Sequence, residues 1–183
     1  MAQLIVILGG TRSGKSRLGR ELLREERRVA YLATADANDA ENADRIERHR
    51  DERPKSWRVY EEPKEFPQLF RTRLTGFKAV ILDGTSSWLA SLFPLFKDPS
   101  RLTPAVRSKT EKQMLEQVEA FLKASDAYGG LLVVVADEMG QGMVPSNALA
   151  RLFRDVSGLA NQLLVARADE AYLAVAGRKV RIK

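Results

Sequence analysis

Short blocks of apolar, β-branched residues punctuate the chain at positions 4–8, 29–33, 79–82 and 131–136. Each block is nearly continuous rather than alternating, the pattern of a strand covered on both faces. A fifth block, 171–176, is followed by Gly177 and a short run at 179–182, which predicts a closing hairpin. Between the blocks the apolar period lengthens to that of a helix. Residues 17–26 read as one. Within 104–127, Met114, Val118 and Leu122 recur every fourth position, and Leu115 and Phe121 widen the stripe. Within 146–168, Leu149, Leu152, Phe153, Val156, Leu159, Leu163 and Leu164 repeat the theme, with Ser146 as the expected N-cap after Pro145. Buried strands separated by helices predict an α/β fold, a mainly parallel sheet flanked by helices, carrying a C-terminal hairpin. No repeat, low-complexity tract or long linker divides it, so residues 1–183 are expected to form a single domain. Ligands of such sheets lie beyond the carboxyl ends of the strands.

The chemistry begins at one of those ends. Gly9-Gly10-Thr11-Arg12-Ser13-Gly14-Lys15-Ser16 fits G-x-x-x-x-G-K-[ST] between the first apolar block and the first helix. Strand, glycine loop and helix in that order define a phosphate-binding P-loop. The glycines let backbone N–H groups turn inward, and the helix aims its positive end at the same anion. Lys15 then reaches the β- and γ-phosphates, and the Ser16 hydroxyl holds Mg²⁺. The expected ligand is a nucleoside triphosphate. The block at 79–82 ends in Asp83. A carboxylate there suits Mg²⁺, which takes oxygen ligands from one or two carboxylates plus phosphate; the competing role is capping of the helix beginning near Thr85.

Residues 38–55 carry dense charge around His49, the chain's single histidine. Such a stretch is usually a solvated helix face. On a helix, however, Arg45, His49 and Arg53 are neighbours, and the cations disfavour a protonated imidazole. A neutral imidazole beside phosphate-holding arginines can attack phosphorus. Composition changes the picture little. Cysteine is absent, and no run reaches the roughly eighteen apolar residues of a membrane span. No basic-then-apolar leader precedes the first strand, so a cytoplasmic location is expected. The net charge of +6 is spread among carboxylates and suits anionic nucleotides as well as any nucleic acid.

Four stretches carry a family resemblance. They are the octet Gly9 to Ser16; Tyr31-Leu32-Ala33-Thr34-Ala35 with Arg45-Ile46-Glu47-Arg48-His49-Arg50; Trp57 and Glu61-Glu62-Pro63 with Leu82-Asp83-Gly84 and Trp88-Leu89; and the run from Glu138-Met139-Gly140-Gln141-Gly142 through Pro145-Ser146-Asn147 to Arg151, Phe153-Arg154-Asp155 and Asn161-Gln162. The chain resembles the bifunctional adenosylcobinamide kinases / adenosylcobinamide-phosphate guanylyltransferases. That resemblance implies two reactions. A nucleoside triphosphate, ATP or GTP, phosphorylates the aminopropanol hydroxyl of adenosylcobinamide. GTP then gives its GMP unit to adenosylcobinamide phosphate through a GMP-histidine intermediate, releasing pyrophosphate.

By the same resemblance the histidine is His49. Nucleotide contacts fall on Gly9 to Ser16, on Ala33, Thr34 and Ala35, on Arg50, Asp51, Glu52 and Arg53, and on Glu62 and Asp83, with Glu62 facing guanine. The family also implies a homotrimer, and no nucleic-acid partner is expected. Departures occur at Gly84, where the family often has cysteine, at Ala136-Asp137, where it commonly has Ser/Thr-Asn, and at Leu159, where arginine is frequent. The alternatives are a small-molecule P-loop kinase with a structural His49, and a regulatory GTP switch. The second lacks its Asn/Thr-Lys-x-Asp guanine loop here.

Overall fold

The computed structural model of the protein describes residues 2–34, 52–61, 65–96 and 98–183. One seven-stranded sheet has the order β3-β2-β4-β5-β1-β6-β7. Its strands are β1 (Gln3–Gly9), β2 (Val29–Ala33), β3 (Arg58–Glu61), β4 (Ala79–Asp83), β5 (Leu131–Asp137), β6 (Glu170–Val175) and β7 (Arg178–Arg181). All neighbours run parallel except β6 and β7, which form the expected antiparallel hairpin.

The apolar blocks became strands because both of their faces are covered. Leu4, Val6 and Leu8 join Val80, Leu82, Leu132 and Val134 on one face. Four helices cover it: α2 (Phe66–Thr72), α3 (Thr85–Leu92), α4 (Pro104–Ser125) and α5 (Ala148–Arg167). On this side Phe66 packs edge-on against Trp88 and Phe121, with ring centroids 4.8 and 5.4 Å apart. Ile5, Ile7, Tyr31, Ile81, Val133 and Val135 point to the other face, which Leu18 and Leu23 of the α1 (Lys15–Leu22) region and Trp57 cover.

Two elements lay outside the sequence expectation. Strand β3 sits at the sheet edge with Arg58, Val59 and Glu61 exposed, so it has no apolar run to reveal it. Helix α2 is seven residues long, too short for a periodic stripe, and Phe66 and Phe70 are its buried pair. One cap is corrected. Helix α5 starts from Asn147, whose Oδ1 accepts from the Ala150 amide at 2.6 Å, and not from Ser146. The carbonyl of Ser146 instead accepts from Arg151 Nη1 at 2.7 Å.

Candidate active site

Strand β1 ends at Gly9, the loop follows, and α1 begins at Lys15. A Cβ on Gly9 would lie 2.4 Å from Ser13 Oγ and 3.0 Å from the Ala174 carbonyl, so a side chain there would crowd the loop against β6. Gly14 caps α1 at φ +90°, a left-handed conformation that glycine adopts without strain. The Ser13 amide donates to the Gly10 carbonyl at 3.2 Å and closes the loop. The amides that open α1 have no intrahelical acceptor and lie at the positive end of its dipole. The Lys15 side chain is 7 % exposed; its Nζ donates to the Gly10 carbonyl at 3.2 Å and pairs with Asp137 Oδ1 at 2.7 Å.

A second set of groups stands beside the loop. Ser16 Oγ donates to Asp83 Oδ1 at 2.9 Å. Tyr31, fully buried under the sheet, donates its phenol to Asp83 Oδ2. Burial, and then the Asp83 charge, push the Tyr31 phenol well above its ordinary range, so it remains a donor. The Arg53 guanidinium lies 4.1 Å above the Tyr31 ring. Arg53 sits in a bend rather than on a helix, and its expected neighbours Arg45 and His49 lie outside the described residues. Glu52 pairs with Arg20, a buried residue of α1 whose Nη1 has no partner among the described residues. Ala33 ends β2 in register with Asp83, and the Thr34 hydroxyl donates to the Asp83 carbonyl at 3.1 Å and to the Gly84 carbonyl. Gly84, at φ +104°, caps α3, so Asp83 has no capping role. Serine hydroxyl and carboxylate, both hard oxygens held together, suit Mg²⁺. Among the described residues no group of three or more His, Cys, Asp or Glu side chains that could hold a metal occurs.

Asp137 completes the site and was not among the expected site residues. Strand β5 runs between β1 and β4, and its last residue stands level with Gly9. Besides Lys15, the Asp137 carboxylate accepts from the Ser86 hydroxyl in the first turn of α3. The signal was present in the sequence, because 131–136 is an apolar run ending in aspartate just as 79–82 is. The following segment is built as scaffold: the Glu138 amide donates to the Gly9 carbonyl at 2.9 Å, and Asn161 Nδ2 donates to the Asp137 carbonyl at 3.0 Å. Thus Gly9 to Ser16, Thr34, Asp83 and Asp137 converge at the carboxyl ends of β1, β2, β4 and β5, with Arg53 behind them. Ala35, His49, Arg50, Asp51 and Glu62 lie outside the described residues.

A parallel sheet with a P-loop, and a strand inserted between the loop strand and that of its aspartate, defines a P-loop nucleotide-binding protein. The chain belongs to the family described as cobinamide kinase / cobinamide phosphate guanyltransferase, which it matches over residues 5–182. It is similar to the bifunctional adenosylcobalamin biosynthesis protein CobU of Salmonella typhimurium, with 36 % identity over 98 % of this chain and 99 % of that protein. CobU of Escherichia coli is 34 % identical over the same shares, and CobP of Pseudomonas aeruginosa is 35 % identical over 97 % of this chain and 96 % of its own. Among solved structures, a prototypical ATPase from the type III secretion system of pathogenic bacteria superposes with a TM-score of 0.57 at 12 % identity. It covers 98 % of this chain and 56 % of its own length, a likeness of fold. No helix among the described residues is long and apolar enough to cross a membrane.

Proposed function

We propose that the chain phosphorylates adenosylcobinamide from ATP or GTP and then transfers GMP from GTP to the product, passing through a GMP adduct of His49. The observation that carries this reading is the family match along residues 5–182, joined to a P-loop whose Lys15 and Ser16 meet Asp137 and Asp83. In the first reaction the aminopropanol hydroxyl oxygen attacks the γ-phosphorus and the nucleoside diphosphate leaves with the bridging oxygen. In the second, a ring nitrogen of His49 attacks the α-phosphorus and pyrophosphate departs. A phosphate oxygen of adenosylcobinamide phosphate then displaces the histidine, forming adenosylcobinamide-GDP. Dividing the displacement lets the bulky acceptor enter after pyrophosphate has gone.

Lys15, together with the amides opening α1, holds the departing phosphate oxygens where charge develops. Ser16 and Asp83 would hold Mg²⁺, which when bound draws charge from the phosphates. Thr34, Glu52 and Arg53 edge the nucleotide, Arg50 and Asp51 join them, Ala33 and Ala35 bring backbone close, and Glu62 pairs with guanine. Both reactions use the one domain spanning 1–183, in the cytoplasm, as a homotrimer; sedimentation equilibrium reports the subunit count.

The decisive experiment uses GTP labelled at the α-phosphate. Label is expected on the protein, stable to base and labile to acid, and absent from His49→Ala. Label that persists in that variant removes the proposed nucleophile. Transfer of γ-phosphate without pyrophosphate release points instead to the kinase-only alternative. Mass analysis of the corrinoid product, after incubation with adenosylcobinamide, GTP and Mg²⁺, reads both reactions at once.

A further inference from the structure

We infer that the turn of the carboxyl-terminal hairpin sets the phosphate loop for nucleotide, with Gly177 and Arg17 as positioning residues. Strand β6 runs beside β1 to the pair Gly9 and Ala174, so the chain leaves the sheet alongside the loop. Ala176 and Gly177 follow at φ +49° and +75°, the successive left-handed residues of a tight hairpin turn. Three contacts tie this turn to the loop. The Gly177 amide donates to the Ser13 carbonyl at 2.8 Å. Arg17 Nη2 donates to the Gly177 carbonyl at 2.8 Å. A Cβ added to Gly14 would stand 3.1 Å from Gly177 Cα, so the two backbones touch.

The peptide between Ser13 and Gly14 is planar and trans, so its C=O and N–H point in opposite directions. Anchoring the Ser13 carbonyl on the hairpin therefore turns the Gly14 N–H away from it, toward the anion side at the start of α1. Without the anchor, the freedom of Gly14 lets this peptide rotate, and nucleotide must order it on binding. Core burial accounts for β6 through Ala171 and Ala174 but not for β7, all four of whose residues are exposed. What the turn contacts is the loop.

Replacing the Ala176–Gly177 amide by an ester, with glycolic acid at position 177, deletes the donor without adding a side chain. Arg17→Met removes the second tie on an exposed residue of α1. For both proteins and the wild type, calorimetry gives the Kd of ATP and of GTP with Mg²⁺, and a melt without ligand reports folding. The ester is expected to raise both Kd values about fivefold, the weight of one neutral hydrogen bond, and Arg17→Met about threefold. The two nucleotides should suffer equally, because the loop holds phosphate and not base. Kd values within about twofold of wild type in both variants overturn the inference, as does a lowered melting temperature with unchanged affinity. A wild-type protein that binds neither triphosphate counts against the phosphate-loop reading itself, a separate result.

Discussion

Tyr31 shows how one residue can serve the core and the site together. Its ring lies with Trp57, at a centroid distance of 6.2 Å, beneath the sheet, while its phenol reaches Asp83. Such a partner fixes the orientation of the carboxylate proposed to hold Mg²⁺, and for metal ligands the loss of an outer partner typically costs about 10- to 100-fold in metal affinity. Tyr31→Phe is therefore expected to raise the Mg²⁺ concentration for half-maximal GTP binding about tenfold; a melt alone would miss this, and binding titrated against Mg²⁺ will show it. Asp137 acts in the other direction. It pairs with Lys15 at 2.7 Å, and the proposed contact of Lys15 with phosphate would draw the lysine away. Asp137→Asn is expected to tighten nucleotide binding about fivefold, the scale of a partly exposed ion pair. Weaker binding in that variant would mean that the carboxylate is needed to place the lysine. At this scale the sequence was partly readable: Lys15, Ser16 and Asp83 stand out by spacing and by position at a strand end. Tyr31 does not, because nothing in a buried strand tells which tyrosine has a carboxylate across from its hydroxyl.

Helix α1 lies close over the sheet because Gly19 leaves room for it. A Cβ at this position would come within 2.8 Å of Val135 Cγ2 and 3.2 Å of Ile81 Cδ1. Gly19→Ala is expected to cost about 1–3 kcal/mol by overpacking, although alanine is the better helix former. Denaturant melts should show a lower midpoint at unchanged slope. Long helices α4 and α5 were legible from their stripes, and Thr103, which accepts from the Val106 amide at 3.3 Å, caps α4 as a threonine before proline should. Strand β3 and helix α2 were not, because a four-residue edge strand and a seven-residue helix carry too little apolar pattern. Their neighbours hold them: β3 adds to the rim of β2, and Phe66 and Phe70 lock α2 onto Phe121.

The whole molecule keeps its phosphate chemistry at one end of the sheet and a tyrosine anchor at the other. Tyr128, buried before β5, donates its hydroxyl to the Phe77 carbonyl at 3.0 Å. Burial, and secondarily the charge of Glu26, push its phenol up to about 12 from 10.0. The folded value lies above the unfolded one, so the associated stability is whole below pH 10 and is lost as pH rises toward 12. Equilibrium unfolding followed across this window should show a falling limb, and Tyr128→Phe should make it shallower while lowering stability at neutral pH, the raised Tyr31 phenol supplying the remainder. A ligand that binds only the folded chain adds about 2.7 kcal/mol at one hundred times its Kd. GTP with Mg²⁺ is accordingly expected to raise the melting temperature in proportion to the logarithm of its concentration.

The residues alone determined the elements whose forces are local. Apolar runs specified the buried strands, stripes specified the long helices, and eight consecutive residues between strand and helix specified a phosphate loop. What only tertiary structure decided is who meets whom. The strand order inserts β5 between β1 and β4, and so brings Asp137 to Lys15; it places Tyr31 under Asp83, and it delivers Gly177 to Ser13. These partners are remote in the chain and are matched by sheet register, which depends on the packing of every strand at once and leaves no mark in any short window of sequence.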